Sequence, residues 1–329
     1  MSDAAATVLS LPAPAWTQPA RTQLQAAFAA GHLPHALLIH EAPGSGGEWL
    51  AFWAAQLVLC QNRAQAPCGV CSACRRVPAA QHPDLWCVRP EEEGRQIRIE
   101  QVRELASELA LTSHGGGYAV AILSPADALN RFAANALLKT LEEPPAQRLL
   151  VLVATHPSRL PPTIRSRCQR LPLRAPTRAE ALAWLTQARG AALPWGAALD
   201  ELGEAPFLAV AADPQELATV GEEARRTLEA LAGGNGDPVA SAERWARAEV
   251  PLRLRCFENW LTERIRAQER QGTFMTEMRA GPYLSEPAPV LNIRELFGLL
   301  DEVRELRATL DVPLNRGVAL EDLFRRLAP

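Results

Sequence analysis

EAPGSGGEWL, residues 41–50, follows the short apolar run ALLIH (36–40) and opens the apolar stretch EWLAFWAAQLVLC (48–60). A strand that ends in a glycine-rich turn and enters a helix is the setting of a phosphate-binding loop, G-x-x-x-x-G-K-[ST]. With the second motif glycine on Gly46, Glu41 stands at the first glycine, Gly47 at the lysine and Glu48 at the hydroxyl. Gly44, Gly46 and Gly47 can preserve the backbone cradle. The groups that hold triphosphate and magnesium are absent, so the stretch reads as a degenerate P-loop.

Working outward, Pro19 to Ala30 has helical spacing and stops at Gly31. LWCVRP (85–90), YAVAIL (118–123) and LLVLVAT (149–155) read as further strands. Continuous apolar runs of this kind suit strands covered on both faces, as in a parallel sheet. Between them, IRIEQVRELASELALT (97–112) starts extended and becomes an amphipathic helix with Val102, Leu105 and Leu109 on one side, and RFAANALLKTLEEPP (131–145) is a helix stopped by two prolines. This alternation up to about residue 173 predicts an α/β layer architecture. Beyond Pro176 the chain reads as helical. Thr177 and Glu180 form a capping box, and breaks fall at GGNGDP (233–238) and GPYLSEPAPV (281–290).

The 329 residues are enough for two or three domains, and a 48% hydrophobic fraction can build a sizeable core. A net charge of -3 gives no sign of a chain built around nucleic acid, although a local basic face can still exist. No apolar run is long enough for a membrane span. MSDAAATVLSLPAPAW lacks the basic and apolar regions of a secretory signal, so a cytoplasmic location is expected. Seven cysteines there should stay reduced or bind metal.

Cys60, Cys68, Cys71 and Cys74 follow C-x7-C-x2-C-x2-C. Two C-x2-C steps bring thiolates within chelating reach, and four thiolates with no open position describe a structural zinc site. Such a site can staple an insertion that has little core of its own. A zinc module often docks a neighbouring protein or nucleic acid, which leaves the patch around Arg75 and Arg76 open as a contact. Cys87, Cys168 and Cys256 read as packing residues.

NALLKTLEEPP (135–145) and TIRSRC (163–168), with HALLIH, the glycine loop, the cysteine insertion and HPD (82–84), make the first 175 residues recognisable. They resemble the bacterial AAA+ clamp-loader family, in particular its delta-prime subunits of DNA polymerase III. The likeness is weaker over the helical remainder, where LDVPLNRGVALEDL (310–323) is its best stretch. The resemblance implies an AAA+ core at 1–174 carrying the zinc insertion (about 60–75), a small helical lid domain at 175–212 and a helical collar at 213–329. In active relatives, an acidic pair eleven and ten residues before the equivalent of Asn135 holds magnesium. Here those positions are Ser124 and Pro125. Asp127 reads as a cap for the following helix.

Taken alone, Arg165, Arg167 and Arg170 could be a solvated turn. The resemblance singles out Arg167 of SRC as an arginine finger reaching the triphosphate of a neighbouring subunit. A permanently charged, planar guanidinium suits that task. The implied partners are gamma/tau-type ATPase subunits, the delta subunit and the DNA polymerase III holoenzyme, with the sliding clamp and primer-template DNA met through the complex. Residues such as Leu296, Leu299, Leu300 and Val303 give the collar its packing face. Two other functions compete: an active ATPase subunit with an atypical loop, which Gly47 opposes, and a zinc-dependent nucleic-acid-binding module, which the net charge opposes.

Overall fold

The computed structural model describes residues 10–91, 96–277, 292–310 and 315–328. The first nine residues, the proline-rich stretch 281–290 and positions 311–314 of LDVPLNRGVALEDL lie outside them. The chain divides into two compact units. One comprises Met1–Gly190 with Ala205–Leu208, the other Ala191–Glu204 with Ala209–Pro329.

The first unit is built on a five-stranded sheet: β1 (Ala36–Glu41), β2 (Leu85–Val88), β3 (Ala119–Leu123), β4 (Arg148–Ala154) and β5 (Gln169–Leu173). The order is β2-β3-β4-β1-β5, and every pairing is parallel, with Ile39 opposite both Val153 and Leu171. All residues of β3 and β4 are buried, which explains their unbroken apolar runs. Helices Ile99–Ala110 and Arg131–Glu142 cover one face, inserting Val102, Leu105, Leu109, Ala133, Leu137 and Leu141 among Leu38, Ala121, Leu123, Leu150 and Leu152. Helix Gly47–Leu59 packs against β1, β3 and β4 and buries eleven of its thirteen residues.

β5 escaped the sequence reading. As an edge strand paired only with β1, it buries just Leu171 and Leu173, while Gln169, Arg170 and Pro172 face outward. An edge position also tolerates a proline, which has no N–H to give to a ladder.

Two buried polar side chains tie the connections to this core. The Arg148 guanidinium donates to the carbonyls of Leu109 (2.7 Å), Leu111 (2.5 Å) and Ala146 (3.0 Å), satisfying the unpaired end of helix Ile99–Ala110 with a cation. Asp84 of HPD accepts from the amides of His114 (2.7 Å) and Gly115 (3.1 Å) and so fixes the turn before β3.

The second unit is helical among its described residues: Trp195–Leu202, Pro214–Ala232, Pro238–Arg247, Val250–Glu277, Ile293–Ala308 and Arg316–Leu327. Asp213 and Asp237 cap the second and third of these, each followed by a proline at the first helical position. Trp245, Phe257 and Phe324 form the centre, with Trp245 set edge-on to Phe324 at 4.9 Å between ring centroids. Leu296, Leu299, Leu300 and Val303 are buried in this same core. No helix of the described residues is long and apolar enough to cross a membrane.

Candidate functional site

Three features predicted from the sequence lie in the first unit. The glycine loop sits at the C-terminal end of β1, beside the point where strand order reverses, which is where open parallel sheets bind ligands. Gly44 (φ +69°) and Gly46 (φ +94°) are in the left-handed region, and the Leu50 amide donates to the Gly46 carbonyl to start helix Gly47–Leu59. The loop is therefore a tight turn that leads directly into the helix.

Its chemistry has been replaced. Glu41 turns its carboxyl back so that the Gly47 amide donates to Oε2 at 2.6 Å. Burial pushes the pKa of Glu41 up to about 7 although the amides of Gly47, Gly46 and Ser45 pull it down, and the charge of Asp127 adds to the rise. Glu48, in the hydroxyl position, is ion-paired with Arg89, and the Ser124 hydroxyl lies 3.5 Å from its other oxygen. A carboxylate–guanidinium pair thus stands at the hydroxyl position of the motif.

Asp127 does not cap the helix that follows it. Asn130 does, accepting from the Ala133 amide at 2.8 Å. Asp127 lies within a short 3-10 turn three residues upstream, and its Oδ2 accepts from Thr155 Oγ1 (3.1 Å) and the His156 amide (2.9 Å) at the end of β4. Asparagine next to the first helical residue has the reach that the more distant aspartate lacks.

The Glu41 titration has a consequence for stability. The folded chain holds this proton up to about pH 7, and an unperturbed glutamate releases it near 4.5. Between those values the folded state binds more protons, so stability falls as pH rises through the window. Glu41→Gln removes the titration. Relative to the unsubstituted chain, its stability to urea should rise by on the order of 3 kcal/mol from pH 4.5 to pH 7. Parallel pH profiles for the two proteins would contradict this.

The four predicted cysteine ligands converge, with their sulfur atoms all within 4.8 Å of one another. Cys60 and Cys71 are 4.0 Å apart, as are Cys68 and Cys74. The amides of Cys68, Cys71 and Cys74 each point at another cysteine's sulfur at 3.4 Å, the arrangement that stabilises thiolates. The set could hold a metal ion. Cys168 and Cys256 are buried and Cys87 is partly buried, and burial raises all three thiols, Cys87 to about 12 and Cys168 to about 11.

Arg167 lies between the short helix Pro162–Arg165 and β5. Its neighbour Cys168 is buried in the sheet core and anchors the turn, while the arginine side chain is 35% exposed. The guanidinium donates to the Thr163 carbonyl (2.9 Å) and pairs with Glu142 at 2.7 Å. Glu142 belongs to the LEEPP stretch, so the two most recognisable segments of the sequence meet at this one contact.

Sequence reasoning missed Phe207, which packs on the glycine loop from far along the chain. Nothing in APFLAV (205–210) announces that destination. It also missed the part played by Glu41, although an acid in place of the first motif glycine was a signal.

A parallel sheet of this order, a glycine loop after β1, a helix ending in LEEPP, a surface arginine in SRC and a helical second unit define an AAA+ clamp-loader subunit. The family model described as DNA polymerase III, delta subunit matches residues 16–177. The chain is 38% identical over 305 residues to the DNA polymerase III subunit delta' of Pseudomonas aeruginosa, covering 88% of this chain and 90% of that one. It is 31% identical over 322 residues to the same subunit of Escherichia coli K12, covering 95% and 94%. The tau subunit of E. coli K12 matches 47% of this chain at 33% identity, over 24% of its own length. The chain belongs to the delta-prime subunit family of DNA polymerase III.

Proposed function

We propose that this chain is a non-hydrolytic subunit of the clamp loader and supplies Arg167 in trans to ATP held by an adjacent gamma/tau-type subunit. The observation that carries the reading is the surface guanidinium of Arg167, set beside its buried Cys168 anchor. The tether to Glu142 is compatible with transfer to a phosphate. A half-exposed ion pair is worth about 0–1 kcal/mol, so a polyphosphate can compete for the guanidinium at little cost. In this reading the neighbouring ATP is hydrolysed as the sliding clamp is released on primer-template DNA, and the delta subunit completes the cytoplasmic assembly within the holoenzyme.

The division into a core at 1–174, a lid at 175–212 and a collar at 213–329 is part of the same proposal. Leu296, Leu299, Leu300 and Val303 are consumed by the second unit's own core. A collar contact must therefore use exposed apolar residues such as Phe297 and Val318. The four thiolates are assigned one structural zinc, which suits a closed all-sulfur set.

The isolated chain should turn over no ATP above background. The motif lysine and hydroxyl positions hold Gly47 and Glu48, and the acidic-pair positions hold Ser124 and Pro125. Reconstitution with gamma/tau-type and delta subunits should give a complex that hydrolyses ATP and loads clamps. Magnesium-dependent turnover by the isolated chain, abolished by a substitution within 43–48, would overturn the non-hydrolytic assignment.

A further inference from the structure

Successive N–H groups at a helix entrance form a concavity suited to an anion. In this chain two faces of the glycine loop are already met by the chain itself. From the β1 side comes the Glu41 carboxyl, 9% exposed as a residue and 2.6 Å from the Gly47 amide. Gly47 has helical backbone, and its lack of a side chain serves this approach: a Cβ there would stand 2.6 Å from the Glu41 Cδ and 2.9 Å from Val153. The opposite face meets residues 205–208. The Phe207 amide donates to the Gly44 carbonyl at 3.1 Å. A Cβ on Gly44 would lie 2.8 Å from both Ala205 and Leu208, and one on Gly46 would collide with the Phe207 ring.

The Phe207 ring is itself clamped. It stacks on Trp184 at 4.6 Å, Trp184 meets Trp16 edge-on at 5.7 Å, and Trp16 Nε1 donates to the Ser45 carbonyl at 2.7 Å. The aromatic series therefore begins and ends on the loop.

We propose that the degenerate loop is an amide nest with an internal ligand. The Glu41 carboxyl takes the place of a phosphate group, and the Phe207–Trp184–Trp16 clamp closes the glycine face, fixing residues 205–208 on the α/β core without nucleotide. The lysine and hydroxyl that are missing explain an absence of hydrolysis. The internal ligand goes further and closes the loop to polyphosphate altogether. A phosphate would have to displace a buried acceptor on one side and an aromatic ring on the other. The inference stands on this packing and not on the role of Arg167.

The test uses the full chain and its Glu41→Gly, Phe207→Ala variant, with pyrophosphate and ADP as probes, above pH 7, followed by calorimetry and phosphorus NMR. The unsubstituted chain should bind neither probe at millimolar concentration. The double variant, shown by circular dichroism to be folded, should bind pyrophosphate at least tenfold more tightly. Equal binding by the two chains, or no binding by the folded variant, would overturn the proposal. Amide hydrogen exchange in the unsubstituted chain decides the matter even where the variant does not fold. Slow exchange at Gly46 and Gly47 without added ligand supports the internal nest, and exchange at the rate of an open loop excludes it. An unsubstituted chain that binds ADP without hydrolysing it would sink this proposal and leave the non-hydrolytic assignment standing.

Discussion

Replacing Cys71 by serine should take the zinc content of the purified protein from one per chain to near zero and release the segment between Cys60 and Val77. A tetrahedral four-thiolate site with metal–sulfur bonds of about 2.3 Å has sulfur–sulfur edges of roughly 3.8 Å. The two 4.0 Å pairs lie near that edge length, and the 4.8 Å outer limit is about 1 Å wider, so the four sulfurs need to draw in only slightly to close on an ion. The segment has little else to hold it. Among residues 61–77 only Ala73, Cys74 and Val77 are buried, and Val70 at the tip is 67% exposed. In a structure of that kind the free energy of metal binding, about 10–16 kcal/mol for small zinc modules, is the folding energy. Beyond the insertion the parallel sheet has its own apolar core, so the main thermal transition should move little. Elemental analysis reads the metal, and hydrogen exchange over 60–77 reads the loosening. Cys256→Ser is the control, since that thiol is buried in the second unit and should leave the metal untouched. A Cys71→Ser protein that keeps one zinc, or an unsubstituted protein prepared without chelator that has none, would remove the metal from the proposal.

What could be read from the sequence follows a physical division. Three strands were visible because they lie inside the sheet and are covered on both faces, which forces unbroken apolar runs, and the edge strand β2 because its four residues are all apolar; β5, the other edge strand, with outward-facing Gln169 and Arg170 and a proline, carried no such signal. The cysteines were legible because chelation fixes local spacing. Asn130 and Asp127 show how a cap can be misplaced by a few residues when the helix start is inferred from composition alone. The loss of the motif groups was plain at positions 41, 47 and 48, whereas their replacement was not. Glu41 turning back on Gly47 is a local contact across six residues that depends on how the turn folds, while Arg89 reaching Glu48 across 41 residues and Phe207 arriving from a distant segment are tertiary events. For Arg167 the sequence offered only a resemblance. The pairing with Glu142 now gives that arginine a defined posture, because two segments that were recognised separately make one contact.

Arg167→Ala should leave folding and assembly intact and slow ATP hydrolysis and clamp loading by the reconstituted complex. In its own chain the side chain makes one half-exposed ion pair and one carbonyl contact, so its removal costs about 1 kcal/mol at most. At a single phosphoryl-transfer site, losing an arginine finger costs on the order of 10³–10⁵ in rate. A loader with several ATP sites should lose less overall, because one interface is damaged and the others continue. Arg167→Lys should rescue only in part: the ammonium keeps the charge and loses the planar fork that spans two phosphate oxygens. Glu142→Gln supplies a separate check on posture. It removes the charge that holds the guanidinium and keeps a hydrogen-bonding side chain, so its effect should be far smaller than that of Arg167→Ala. Rates are to be compared at saturating ATP and equal assembled complex, so that weaker binding is not read as slower chemistry. If Arg167→Ala complexes assemble normally and load clamps at the unsubstituted rate, the SRC turn serves only to anchor Cys168 in the sheet core, and the arginine has no role in trans.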